Sequence, residues 1–375
     1  MVTNTTPTTT TPSADPMATI AVELKAPDIR PHRQSNTGTE FIHTFDSGRP
    51  GPHVLVNALT HGNEICGAIV VDRLLRQALR PVRGRLTLAF ANVEAFFRFD
   101  PASPYATRFV DEDFNRVWTR PVLDGPGDSA ELRRARQLRP FVEAADYLLD
   151  IHSMLEPSPP VMICGPLDKG IRFAFDVGIP EHIVSDTGHS NGTRMRDFGG
   201  FGDPASPKNA LLVECGQHWE RNAEHVVSDT GHANGTRMRD YGGFGDASSE
   251  KNALLIECGQ HWERRAEAVA WQTTWRFLLA VGAVDRERAD RELAPVAGPQ
   301  KLIRVTAAVV AHSPAFRFAR DFTGLEVVPR QGDVIAWDGE EAVRAPYDNC
   351  VLVMPVPHNV KTGLTAVRLG RIEAR

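Results

Sequence analysis

The chain lacks a basic surplus, a disulfide framework and any long apolar run, and each absence removes a class of function. Its 42 lysines and arginines face 47 acidic residues, a formal net charge of −5, which leaves no electrostatic footprint for nucleic acid. An anionic substrate stays open, because a few local arginines dominate a pocket whatever the total charge. The five cysteines, Cys66, Cys164, Cys215, Cys258 and Cys350, are odd in number, scattered and without a CxxC pair. They read as reduced thiols, with the cytoplasm as the expected location. No stretch approaches the roughly 18 apolar residues of a membrane span, so no membrane partner is expected. The opening residues, MVTNTTPTTTTPSADP, lack the apolar core of a signal peptide, and residues 1–16 are expected to form a disordered tail.

What remains is an ordinary globular composition, 42% hydrophobic and 24% charged over 375 residues, enough for a large α/β domain with an appendage. His53 to Leu59 is a short apolar run that predicts a buried strand. Ile65 to Leu79 has apolar positions at helical spacing, which places Thr60-His61-Gly62-Asn63-Glu64 at a strand-to-helix junction. Arg85 to Asn92 predicts a second strand, Ala130 to Ala145 an amphipathic helix, and Tyr147 to His152 a third strand. Strands alternating with helices imply a largely parallel sheet covered on both faces, with ligands bound beyond the carboxyl ends of the strands. His61 and His152 both fall at such positions.

A tandem duplication occupies the middle of the chain. Residues 182–220 (HIVSDTGHSNGTRMRDFGGFGDPASPKNALLVECGQHWE) recur at 225–263 with an offset of 43 and few changes. Two copies without flanking continuation make no solenoid, so one copy is expected to be surplus to the fold. Beyond Trp262 an apolar-rich helix is predicted to about Val281. Short β-rich runs then follow, Ile303 to Ala311, Val334 to Trp337, Val351 to Val356 and Thr365 to Leu369. They predict a small β-domain over 300–375, with the Pro295 to Pro299 stretch as linker after a main domain spanning 17–294.

His61, Glu64 and His152 form a His2Glu set of the kind that holds zinc, with three protein ligands leaving one position for water. Zinc acidifies such a water and polarises a carbonyl, which amide hydrolysis requires. Each residue also has a structural alternative. Glu64 suits the first turn of a helix, and a lone histidine at a strand end is more often hydrogen-bonded than metal-bound. Asp150, two residues before His152 on the same strand face, suits either an outer carboxylate or a structural role. Gly199 to Gly202 is glycine-rich without a following Lys-Ser/Thr and reads as a loop, not a phosphate cradle. Cys215 and Cys258 read as small buried thiols.

Four motifs in order, His61-Gly-Asn-Glu64, Arg108-Phe-Val-Asp-Glu-Asp-Phe-Asn-Arg116, Asp150-Ile-His-Ser153 and Leu-Val-Glu-Cys-Gly, resemble the aspartoacylase and succinylglutamate desuccinylase family. The resemblance runs over roughly residues 50 to 375. It implies a zinc-carboxypeptidase-like α/β fold: a mixed, largely parallel sheet flanked by helices, plus a small C-terminal β-domain. It also implies one zinc ion per chain on His61, Glu64 and His152. Asn115 and Arg116 match the pair that grips the substrate carboxylate, and Arg108 matches a further substrate arginine, in keeping with the bidentate fork of a guanidinium. Without the metal motif these arginines would read as surface charges balancing Asp111, Glu112 and Asp113. Arg194, Arg196, Arg237 and Arg239 are further candidates whose spacing does not align cleanly.

The resemblance places a general-base glutamate at a strand end, and here the duplication supplies two, Glu214 and Glu257. Glu257 is favoured because its strand leads directly into the helix after Trp262. The expected partner is a small N-acylated amino acid with a carboxylate, and a homo-oligomer is left open. Two rivals share the motifs: a zinc carboxypeptidase acting on peptides, and a zinc-binding protein whose site the duplication has disabled.

Overall fold

The computed structural model describes residues 22–104, 106–154, 158–164, 167–185, 209–210, 238, 244, 249, 251–260, 262–296, 298–357 and 360–373, with the backbone alone at 209–210 and 252–260. The expected tail, Arg194, Arg196, Arg237, Arg239, Glu214, Cys215 and the Gly199 to Gly202 loop lie outside the described residues.

The amino-terminal half supplies strands β1 (Ile42–Asp46), β2 (His53–Ala58), β3 (Arg85–Phe90), β4 (Tyr147–Met154), β5 (Val161–Ile163) and β6 (His182–Ser185). The duplicated segment, which begins with β6, also supplies β7 (Asn209–Ala210) and β8 (Asn252–Gln260). The C-terminal region adds β9 (Lys301–Val310), β10 (Arg317–Phe318), β11 (Val327–Val328), β12 (Val334–Asp338), β13 (Glu341–Arg344), β14 (Cys350–Val353) and β15 (Thr365–Glu373). The helices are α1 (Ile65–Arg76), α2 (Val93–Phe97), α3 (Arg120–Leu123), α4 (Ala130–Ala144), α5 (Asp168–Val177), α6 (Arg264–Ala280) and α7 (Arg286–Asp290). Each strand and helix anticipated from periodicity between His53 and His152 is present, with ends within a few residues of the expected ones.

Among the described residues twelve strands form one mixed sheet in the order β1-β3-β2-β4-β8-β5-β6-β9-β15-β14-β11, with β7 paired to β8. Its centre, β3-β2-β4-β8, is parallel, as expected from the alternation of strands and helices. Antiparallel pairs enter at β1 with β3, at β5 with β8, and through β9, β15, β14 and β11. The β-rich C-terminal region therefore continues the main sheet through the parallel pair β6 with β9, and adds a three-stranded antiparallel sheet of β10, β12 and β13.

Strand pleating sorts side chains between two faces. Val54, Val56 and Ala58 of β2, Leu86, Leu88 and Phe90 of β3, and Leu149 and Ile151 of β4 join one core with residues of α1, α5 and α6. Leu55, Ala89 and Leu148 point the other way, into a second core with Leu132, Ala135, Leu138 and Val142 of α4. Those four positions recur every three or four residues, so one stripe of α4 lies on the sheet. Asn57, Asp150 and His152 share the parity of Leu55 and Leu148, which places them on the α4 face.

Arg134 fixes α4 to that face. Its buried guanidinium donates to the carbonyls of Ala91 (2.8 Å), Phe90 (2.7 Å) and Glu40 (3.0 Å). Burial, working against the attraction of Glu40, lowers its pKa to about 10. The carbonyls it caps end β3, so the helix is registered to the edge of the sheet where the loops emerge. Leu138→Ala should therefore cost about 2–5 kcal/mol, read as a shift in the chemical denaturation midpoint at constant slope. A cost below about 1 kcal/mol would mean that α4 does not seal this core.

Candidate metal centre

β2 leaves the sheet at Ala58, and Leu59 turns the chain with a positive φ of 62°. The loop that follows carries His61 and Glu64, with Glu64 at the N-cap of α1. Gly62 sits where only glycine fits, since a Cβ there would lie 2.5 Å from the Ala95 carbonyl carbon and 2.6 Å from the Phe96 nitrogen. That close approach presses the loop onto α2. The loop is held from two other sides as well. Gly62 N–H donates to the Arg108 carbonyl at 3.0 Å, and the Trp262 indole N–H donates to the Asn63 carbonyl at 3.1 Å.

His61, Glu64 and His152 converge as expected from the sequence. All three are buried, and one ligand-type atom from each lies within 4.8 Å of the others. His61 Nδ1 is 2.6 Å from Glu64 Oε1, and His152 Nδ1 is 3.0 Å from Glu64 Oε2. The two rings stand nearly perpendicular with centroids 5.2 Å apart. Each imidazole meets a second carboxylate through its other nitrogen: His61 Nε2 lies 3.1 Å from Asp113 Oδ1, and His152 Nε2 lies 2.9 Å from Asp150 Oδ2. Asp150 in turn accepts from Asn57 Nδ2 and Thr60 Oγ1, both at 2.8 Å.

This donor set fits a zinc ion. A carboxylate on Nε2 holds the proton there and turns the Nδ1 lone pair inward, the arrangement that orients metal-binding imidazoles. Two inward imidazole nitrogens and one carboxylate oxygen, buried together, form the set that zinc accepts.

The electrostatics follow from packing charges this closely. Burial alone would raise the Glu64 carboxyl, yet the His61 and His152 imidazoles hold it well below the usual range. Burial likewise opposes ionisation of Asp113, and Arg116, His61 and Arg108 overcome it and keep that carboxyl well below its ordinary value. Burial pushes His152 down, but Asp150 and Glu64 outweigh it and lift the imidazole to about 10.

The segment 108–116 brings the expected substrate residues to the rim. Arg108 Nη2 lies 2.8 Å from His61 Nε2 and 3.4 Å from Asp113 Oδ2, and Nη1 lies 3.4 Å from Glu64 Oε1. The contact with Nε2 requires the other His61 tautomer, with its proton on Nδ1. When Nδ1 faces a metal, Nε2 carries the proton and Arg108, about a third exposed, must turn away. Arg116 is more deeply set, with Nη1 donating to the Asn115 carbonyl at 2.8 Å and Nη2 3.8 Å from Asp113. Asn115 is buried, and its Oδ1 accepts from the Met238 backbone N–H at 3.1 Å.

In the sequence Asp113 figures only in the structural alternative, as one of three acids balanced by Arg108 and Arg116, and Asn57 and Thr60 are not singled out. Only the three-residue step from Asp113 to Arg116 hinted at the pairing. Of the two candidate bases, Glu257 lies on β8, where its backbone stands beside His152 of β4 and Val161 of β5.

Comparison with known proteins agrees with this geometry. The catalytic-domain model of succinylglutamate desuccinylase/aspartoacylase matches residues 50–197. Over those residues the chain is similar to the succinylglutamate desuccinylase/aspartoacylase family. The matched region contains His61, Glu64, Arg108, Asn115, Arg116 and His152, and ends before both Glu214 and Glu257. A probable aspartoacylase of Parasynechococcus marenigrum is 41% identical over 107 residues, 27% of this chain and 33% of that protein. An N-acyl-aromatic-L-amino acid amidohydrolase (carboxylate-forming) of Rattus norvegicus is 28% identical over 116 residues, 28% of this chain and 35% of that one. The chain thus spans about a third of the length of these curated relatives. The solved succinylglutamate desuccinylase of Chromobacterium violaceum has the same fold, with a TM-score of 0.54 at 17% identity and 90% of each chain covered. Among the described residues no helix is long and apolar enough to cross a membrane.

Two outcomes follow for family-type metal binding. Asp150→Asn removes the acceptor that holds the His152 proton on Nε2, and zinc affinity should fall about 10–100-fold, read by competition with a chelator. An unchanged affinity would mean that Asp150 does not orient His152. The proton on His152 stabilises the metal-free fold below its unfolded value of about 6.5, and that contribution fades as the pH rises towards about 10. Zinc held by His61, Glu64 and His152 would compete with this proton, so its affinity should increase across the same window and its uptake should release protons. Calorimetry in buffers of different ionisation heat measures that release, and pH-independent uptake would contradict it.

Proposed function

We propose that the protein is a zinc-dependent hydrolase that cleaves the amide bond of a small N-acyl amino acid. One observation carries the proposal: two buried histidines share Glu64 while each is held from behind by its own aspartate. When bound, zinc would polarise the substrate carbonyl and lower the pKa of water.

The chain's own residues supply the rest. Arg116 and Asn115, with Arg108 once it has turned from His61, offer a planar fork and an amide to the substrate carboxylate. A carboxylate so fixed positions the scissile amide, converting encounter into a unimolecular step. Glu257 takes the proton from the attacking water and delivers it to the departing amine. Three features support Glu257 over Glu214. Its strand pairs directly with β4, the Met238 backbone of the same repeat copy meets Asn115, and that copy's Trp262 meets the metal loop. Nitrogen-acylated amino acids are also the substrates that the name of the rat relative gives it.

Zinc-loaded protein should hydrolyse at least one of N-acetylaspartate, N-succinylglutamate, an N-acetylated diamino acid or an N-acetylated aromatic amino acid. Stoichiometric zinc with no turnover on this panel would favour a binding protein, and cleavage of peptides alone would favour a carboxypeptidase. Glu257→Gln should lower kcat by about 10²–10⁴-fold with zinc content unchanged, whereas Glu214→Gln should leave kcat within a few-fold of wild type. The reverse pattern would transfer the base to Glu214.

A further inference from the structure

Glu131 lies in the first turn of α4, fully buried and outside the metal cluster. An acid there ordinarily answers the helix dipole. Its carboxylate instead collects four donors from other parts of the chain. Oε1 accepts from Val110 N–H (2.7 Å) and Asn92 Nδ2 (2.9 Å), and Oε2 accepts from Asp111 N–H (3.0 Å) and Glu112 N–H (3.2 Å).

The contact is reciprocal. Asp111 Oδ2 accepts the Ala130 N–H at 2.7 Å, and the Ser129 hydroxyl, which caps α4, also donates to Glu112 Oε1. Three consecutive backbone N–H groups are thus gathered on one side chain immediately before Asp113, Asn115 and Arg116. Asn92 is itself the cap of α2, the helix pressed against Gly62. One carboxylate therefore ties both segments that build the site, residues 108–116 and the loop bearing His61 and Glu64.

We propose that Glu131 is the positioning residue of this site: it sets where the 108–116 segment stands relative to the metal cluster, and so where Arg108 and Arg116 meet the substrate carboxylate. This rests on the proposed function for its kinetic consequence, but not for its structural one. Four donors need two oxygens that each accept twice, which a carboxylate provides. A glutamine of the same shape would turn its NH2 group towards two of those donors and lose two of the four bonds.

The test compares zinc-loaded wild type with Glu131→Gln, Glu131→Asp and Leu138→Ala, the last loosening α4 without touching the loop. Hydrogen exchange at the amides of Val110, Asp111 and Glu112 should accelerate about tenfold or more in Glu131→Gln beyond any global change, but not in Leu138→Ala. KM for the hydrolysed substrate should rise about tenfold or more in Glu131→Gln with zinc content unchanged and a smaller change in kcat. Glu131→Asp, which keeps the charge, should recover part of both effects. Exchange at 110–112 no faster than in Leu138→Ala, or faster exchange with an unaltered KM, would overturn the proposal. If wild type hydrolyses no N-acyl amino acid, the proposed function fails, and the exchange result alone decides Glu131.

Discussion

Glu64 is a buried carboxylate with an imidazole on each oxygen, and the site depends on what that arrangement demands. Two histidines facing one acid at 2.6 and 3.0 Å would reorient freely unless something fixed their far nitrogens. Asp113 and Asp150 do so, which gives an alternating row of acid and imidazole: Asp113, His61, Glu64, His152, Asp150. Such a row is costly to bury and costly to break, since removing one member strands its neighbour's charge. Beside a divalent cation the imidazoles would be neutral, and the three carboxylates, Arg108, Arg116 and the cation together would carry one positive charge, which would suit an anion.

The row crosses three separate pieces of chain, so its geometry is only as good as their alignment. The parallel centre of the sheet provides part of it: Asn57 of β2 stands beside Asp150 of β4 in register, and His152 is two residues further along the same face. The remainder comes from α4, whose Arg134 grips the ends of β3 and whose Glu131 gathers the following loop. One helix thus carries a buried cation and a buried anion that both bind backbone, turning a packing element into a frame for the loops.

Most of the central fold was legible in the sequence because it is written in local periodicity. The apolar run at His53, the helical spacing from Ile65 and the strand ending at His152 each emerge as expected. The convergence of His61, Glu64 and His152 was legible from residue types at strand ends and from four motifs in order. What escaped was the support behind them. Asp113 lies 52 residues from the histidine it holds, and Asn57 lies 93 residues from Asp150. Glu131 meets backbone amides that carry no residue identity at all. The continuation of the main sheet from β6 into β9 was hidden for the same reason, since strand partnership across 119 residues leaves no mark in either strand alone.

The duplicated segment is accommodated in a particular way. Asn209 and Ala210 pair in parallel with Asn252 and Ala253, so each residue stands beside its own counterpart in the other copy. Identical strands stacked in parallel and in register are the repeating step of a fibre, where nothing distinguishes one layer from the next. Here β5 breaks that equivalence. It takes Ile256 and Glu257 antiparallel on the edge of β8 that β4 leaves open, the edge that β7 joins at its start. Among the described residues like lies against like at the first two positions of β8, a short seam within one molecule.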